Sequence, residues 1–309
     1  MPKIHCLGVL VVDALSGPLE RYPVPRVLSQ VVTQSVRFMP GGGVANTSSA
    51  LARMGLPVGA FSRVGDDANG AFLIRELSSL GVDTSGIRRS PDVTTPFTFV
   101  GIHPDGERSF IHTPGANLTF SPADLDLDRL LDCQWLLFQD VWGLPRLEGG
   151  PGAELLARAK QKGIVTLLDE CWGLGPNLQT LASMLPHCDY VVPSLDDMRA
   201  LFPNASAEDV AGELLKLGAG AAVLKMGPEG CMIARGRERI RVPAFPTTVV
   251  DTTGAGDCWD AGFLAGLAQG HDLPQAARLG NACASCCIQA VGGATGVPAW
   301  PIVASMLNR

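Results

Sequence analysis

The stretch Val249-Val250-Asp251-Thr252-Thr253-Gly254-Ala255-Gly256-Asp257 runs from a strand-like end into a helical start. Its glycines let the chain turn tightly and bring backbone amides close to a ligand. The amides of a first helical turn lack internal partners, and the helix dipole adds positive potential there. Such a turn makes an anion hole for a phosphoryl group, with Gly254, Ala255 and Gly256 supplying the backbone. A carboxylate on the same turn can take the proton of an attacking hydroxyl, and Asp257 fits that role by position. Asp251, ahead of the turn, is better placed to organise the loop or hold a cation. Taken alone, Gly-Ala-Gly serves equally well as a plain strand-to-helix turn.

Elements that could position this turn alternate along the chain. The patterns predict strands over 4–12, 58–64, 135–139, 164–169, 190–192 and 221–225. Helices are predicted over 44–54, 69–80, 154–162, 207–217, 255–268 and 274–291. Strand and helix in alternation with short loops imply an α/β fold: a mostly parallel sheet with helices on both faces, and ligands at the carboxyl ends of the strands. Two segments break the rhythm. Val31 to Phe38 reads as extended after a Pro-punctuated stretch, and Thr95–His103 and Arg108–His112 flank Pro104-Asp105-Gly106-Glu107, a strong hairpin signal. The expectation is one domain over 1–309, with lid strands inserted at about 14–39 and 94–113.

The chain has 309 residues, 46% hydrophobic and 17% charged, enough for a sizeable core. Its net charge of −6, without long runs of one sign, speaks against nucleic acid or an anionic membrane as partner. The charge of an anionic ligand must then be met locally, by amides, a metal or a few cations. The opening Met1-Pro2-Lys3-Ile4-His5-Cys6-Leu7-Gly8 lacks the pattern of a signal peptide, and no stretch approaches the roughly 20 apolar residues of a membrane span. A cytoplasmic location is expected. The nine cysteines are an odd number, and only Cys283, Cys286 and Cys287 cluster, with no second pair spaced for zinc. They read as small, reduced core residues.

The string Asp251 to Asp257, continued by Gly262-Phe263 and Gly292-Gly293-Ala294, resembles the carboxyl-terminal signature of the PfkB, or ribokinase-like, sugar kinases. Gly41-Gly42-Gly43-Val44-Ala45-Asn46 with Ala50-Leu51-Ala52-Arg53-Met54-Gly55 resembles the amino-terminal one, and Arg63-Val64-Gly65-Asp66-Asp67 and Gly81-Val82-Asp83 follow in order. The resemblance spans nearly the whole chain. It implies a three-layer α/β/α core with a small β-sheet lid, and transfer of the γ-phosphate of ATP to a small sugar.

Residue by residue, the resemblance makes Asp257 the base. Asp13, Gly41, Gly42 and Asn46 would bind the sugar, although Asp13 also suits a turn and Asn46 a helix cap. Asp140 ends a strand at the rim expected to face the sugar, beside Trp142, which suits either ligand stacking or core cover. Arg108 could reach in from the lid, or be solvated. Lys225, Gly227 and Gly230 resemble the loop lining the nucleotide site, although Lys225 also suits a solvated strand end, and Asn281 resembles a position near the base. Asp251 resembles part of a monovalent-cation (K+) site. The family's Asn-x-x-Glu, which helps hold Mg2+, is Ser194 and Asp197 here, a departure that bears on efficiency more than reaction class. A dimer through the lid is expected.

Neither Gly-x-Gly-x-x-Gly after the first strand nor Gly-x-x-x-x-Gly-Lys-Ser/Thr occurs, which removes the dinucleotide and P-loop classes. The leading acceptor is a free keto- or aldo-sugar phosphorylated on a terminal hydroxymethyl. A nucleoside kinase, or a sugar and nucleotide sensor without turnover, would keep the same motifs.

Overall fold

The computed structural model describes residues 3–17, 19, 32–103, 108–171 and 175–308. Arg108 is described in its backbone alone, and the turn 104–107 lies outside the described residues.

Among the described residues, thirteen strands form two sheets. They are β1 (Ile4–Leu7), β2 (Val11–Gly17), β3 (Ser35–Gly41), β4 (Val58–Gly65), β5 (Asp83–Ser90), β6 (Phe97–Ile102), β7 (Arg108–Thr113), β8 (Trp135–Val141), β9 (Val165–Glu170), β10 (Tyr190–Val191), β11 (Ala221–Lys225), β12 (Cys231–Arg235) and β13 (Glu238–Val242). The large sheet has the order β13-β12-β11-β10-β9-β8-β1-β4-β5, parallel from β5 to β11 and closed by an antiparallel hairpin. The small sheet has the order β3-β2-β6-β7.

Strand alternation feeds two cores. Leu137, Leu167 and Val223 pack with the helices Gly43–Arg53, Ala68–Ser79, Ala255–Ala268 and Leu273–Cys287. Leu136, Phe138, Leu168 and Leu224 pack on the other face, with the helices Gly150–Gln161, Leu178–Met184 and Ala207–Lys216. That is the three-layer α/β/α arrangement that period-two burial on a two-faced sheet requires.

The single strand predicted over 4–12 is two. The chain leaves the large sheet after Leu7 and re-enters at Val11 in the small one, so Asp13 belongs to the small sheet rather than to the end of the first core strand. Four strands make that sheet instead of three. Asp13 pairs with Met39 and Thr98, and Thr98 with His112, so the four lie in one row on one face. A Cβ on Gly292 would collide with Met39, so this face looks onto the loop that follows the helix Leu273–Cys287. The small sheet thereby lies over the carboxyl ends of the core strands.

Candidate active site

β1 lies between β4 and β8, and the chain order reverses there, the switch point at which α/β sheets bind ligands. Asp140 on β8, Asp169 and Glu170 on β9, Ser194 just after β10, and Lys225 on β11 all fall at that carboxyl edge.

The helix Ala255–Ala268 brings Asp257 to the same edge. Its cap is Gly254 at φ 71°, left-handed backbone in which a side chain is strained. Asp251 fixes the turn: Oδ1 accepts from Thr253 N and Oδ2 from Gly292 N, each at 2.8 Å. Ala255 N donates to Thr252 O at 3.2 Å, and the helical ladder begins with Cys258 N to Gly254 O at 2.8 Å. The amides of Gly256 and Asp257 are left without an internal acceptor among the described residues. Close packing locks the helix behind them. A Cβ on Gly262 would lie 2.5 Å from Leu279 O, and one on Gly280 would lie 2.6 Å from the Trp259 ring, so the helix Leu273–Cys287 can approach only because both are glycine.

Asn46, 6% exposed on the helix Gly43–Arg53, donates from Nδ2 to Asp257 Oδ2 at 2.8 Å. Thr47 Oγ1 donates to Asp257 O at 3.1 Å, and Gln139 Nε2 to Thr47 Oγ1 at 2.8 Å. The two sequence signatures, 211 residues apart at this contact, thus meet through one hydrogen bond. Burial pushes the Asp257 carboxyl up from its ordinary range, while the Asn46 hydrogen bond and Lys225 pull it down. A carboxylate raised towards neutrality is the better proton acceptor.

Lys225 Nζ lies 3.0 Å from Asp169 Oδ1 and 3.1 Å from Asp260 Oδ1. Burial alone would lower Lys225, but Asp169 and Asp260 hold it well above the usual lysine range. One oxygen from each of Asp169, Asp257 and Asp260 lies within 4.8 Å of the others. Asp197 and Glu170 adjoin this group, and burial followed by repulsion from Asp169 raises both carboxyls. Five carboxylates around one ammonium leave an excess of negative charge. Glu170 Oε2 and Asp260 Oδ2 are buried with no hydrogen-bond partner. A hard, oxygen-seeking cation fits such a donor set.

Several expected site residues have other work. Asp140 is 8% exposed and both of its oxygens are taken, Oδ2 by Val9 N at 2.8 Å and Oδ1 by Gly43 N at 3.2 Å. It ties the β1–β2 link to the first helix through one hydrogen bond on each oxygen. Lys225 is held in its two ion pairs and lies 3.5 Å from where a Gly256 Cβ would be. Asn281 is 5% exposed and faces inward, accepting from Trp259 Nε1 at 2.7 Å and donating to Val242 O and Pro243 O at 3.0 Å. Trp142 covers the core, 2% exposed. Asp13 stays at the small sheet's inner face, where Gly41 has no room for a Cβ beside its carboxylate, and Gly42 adopts φ 84° as the helix cap. Gly227 is exposed on the turn after β11, and Gly230 closes that turn through its N–H to Gly227 O at 3.0 Å. The cysteines form no disulfide among the described residues, and Cys287 Sγ donates to Gly293 O at 2.9 Å behind the Asp257 turn.

Sequence reasoning missed Asp169, Glu170 and Asp260. Asp260 stands three residues after Asp257, hence on the same helix face, and Asp169 closes a predicted strand at the ligand edge. Those were the available signals.

Burial, then repulsion from Asp257, pushes Asp140 up to about 8, against the pull of the Val9 and Gly43 amides. A carboxyl whose folded pKa lies above its unfolded value gives stability that is present at low pH and lost as pH rises through the folded value. Urea unfolding should therefore show wild-type stability falling between about pH 4 and pH 8. Asp140→Asn should flatten that slope, and an unchanged slope would show the group to be ionised throughout.

The fold and the edge it builds define a class: a ribokinase-like α/β phosphotransferase with an alcohol group as acceptor. The chain belongs to the pfkB family of carbohydrate kinases, whose family model matches residues 1–300. Aminoimidazole riboside kinase of Salmonella typhimurium is 30% identical over 275 residues, covering 84% of this chain and 85% of the relative. Fructoselysine 6-kinase of Escherichia coli is 32% identical over 270 residues, covering 84% and 93%. Arabidopsis thaliana ribokinase, solved with ribose and ATP, superposes with a TM-score of 0.87 at 25% identity, covering 100% and 99%. Among the described residues no helix is long and apolar enough to cross a membrane.

Proposed function

We propose that this kinase moves the γ-phosphoryl group of ATP to a terminal hydroxymethyl group of a small sugar, with Asp257 as base. The observation that carries the reading is the Asp257 carboxylate, held by Asn46 on the same helical turn whose Gly256 and Asp257 amides lack acceptors. The acceptor hydroxyl gives its proton to Asp257 as its oxygen bonds to the γ-phosphorus, and the bond to the leaving ADP breaks. The free amides and the helix dipole meet the charge gathering on the phosphoryl oxygens. Asp13, on the inner face of the small sheet, would accept sugar hydroxyls, and Arg108 and the rest of that sheet would close over the sugar and exclude water. The exposed Gly227 turn and the chain to Gly230 would flank the nucleotide.

Mg2+ is implied by the family, and the carboxylate excess fits it. Asp197 would hold it, largely through water, and the bound ion supplies charge neutralisation at the phosphates. A K+ ion beside Asp251 would take loop carbonyls, since the Asp251 oxygens already serve Thr253 and Gly292.

A thermal-shift screen of free sugars, nucleosides and sugar phosphates with a non-hydrolysable ATP analogue, followed by ADP release on each hit, tests the reading. A free sugar that both binds and is turned over is the expected hit. Turnover on nucleosides alone would move the chain to that acceptor class, and binding without turnover throughout would overturn the reading.

The small sheet also supports a dimer. Val36, Phe38 and Ile111 are 48%, 58% and 59% exposed, and strand register puts them on the face opposite Asp13. An apolar sheet face of this kind suits a second copy of itself. Phe38→Asp with Ile111→Asp should convert a dimer to a monomer in sedimentation velocity, and a monomeric wild type would end the idea.

A further inference from the structure

Glu170 closes β9 with its side chain 94% removed from solvent by residue exposure of 6%, and its two oxygens fare differently. Oε1 accepts from Ser194 N at 3.0 Å. Oε2 is buried and has no donor. The protein leaves that oxygen uncompensated although a buried acceptor without a partner is costly. Lys225, the nearby ammonium, spends its contacts on Asp169 and Asp260 instead. The Ser194 hydrogen bond holds Glu170 against the turn that carries Asp197, whose half-buried carboxylate lies two residues into the following helix. Asp197 is short, and Glu170 is the longer carboxylate on the adjacent strand, already fixed by one oxygen and unpartnered at the other.

We propose that Glu170 acts with Asp197 to hold the divalent cation that accompanies the nucleotide, through its unpartnered Oε2. The inference rests on the kinase reading above. Glu170 would act by direct or water-bridged contact, and the Ser194 amide would orient it as an outer hydrogen bond orients a metal ligand. A neutral, protonated Glu170 with a purely structural role is the competing account, and the two differ in what they predict for metal affinity.

Mn2+ binding, read from the electron paramagnetic resonance signal of free Mn2+ in the presence of a non-hydrolysable ATP analogue, separates them. Glu170→Gln keeps shape and removes charge; it should weaken Mn2+ binding by about 10-fold or more. Glu170→Asp keeps charge and should fall between the two, and it carries the test if Glu170→Gln does not fold by thermal melting. Wild-type Mn2+ affinity in the folded variants would overturn the proposal. Sugar turnover by the wild type is scored separately: turnover with unchanged Mn2+ affinity sinks the Glu170 assignment alone. Weakened Mn2+ binding without any turnover supports the cation site and sinks the kinase reading.

Discussion

Asp257→Asn is expected to lower kcat by about 1,000-fold, within the range a positioned general base contributes. The replacement has nearly the same shape, and its carbonyl oxygen can still accept from Asn46 Nδ2, so the helix start should remain as it is. What is lost is the ability to take a proton, together with one of the charges crowded around Lys225. Binding of sugar and nucleotide analogue should persist, read as an unchanged or larger thermal shift, while ADP release collapses. The combination matters because a variant that merely unfolds would lose both. Retention of kcat within tenfold would remove Asp257 from the base role and leave the turn as an anion-binding element only. Raised by burial, the wild-type carboxyl should also leave its mark on the acid limb of kcat, which Asp257→Asn should erase.

Much of this arrangement was legible in the sequence because it is local. The turn Asp251 to Asp257 is contiguous, and its glycines announce the left-handed cap at Gly254. The parallel core was legible too, since buried strands such as Trp135–Val141 open on apolar runs, here Trp135 to Phe138. Elements without such runs escaped. β5, Asp83–Ser90, is an edge strand with four of its eight residues exposed, and β13, Glu238–Val242, is a largely exposed hairpin arm of charged residues. The division of residues 4–17 between two sheets escaped for a different reason. Both pieces are buried and apolar, and only tertiary pairing tells where one sheet is left for the other. Side-chain partners were not legible where they are remote. Asp140 meets amides of Val9 and Gly43, 131 and 97 residues away, and nothing near it in sequence signals that both oxygens are used.

Lys225 is the strongest case of such remote pairing and the site of the largest expected effect on stability. Its partners are 6% and 0% exposed in their side chains, and its own is 11%. Removing one member of a buried ion pair leaves uncompensated charge, at a cost of about 3–5 kcal/mol. Lys225→Met should therefore lower the urea-unfolding free energy by that amount near neutral pH. The wild-type contribution is present below the lysine's unfolded pKa of about 10.4 and lost only as pH rises through its still higher folded value. In the variant, Asp260, already raised by burial and by repulsion from Asp169, loses its cation and should take up a proton. A carboxyl with a raised folded pKa favours the folded state at low pH, so the gap to wild type should narrow towards pH 4. Adding Asp260→Asn should recover part of the loss for the same reason. A loss under about 1 kcal/mol would place the trio in the class of weak, solvent-screened pairs, with water reaching the lysine. A loss of the expected size would mean that the ammonium sustains the acidic edge itself, because without it these carboxylates could not share so small a volume.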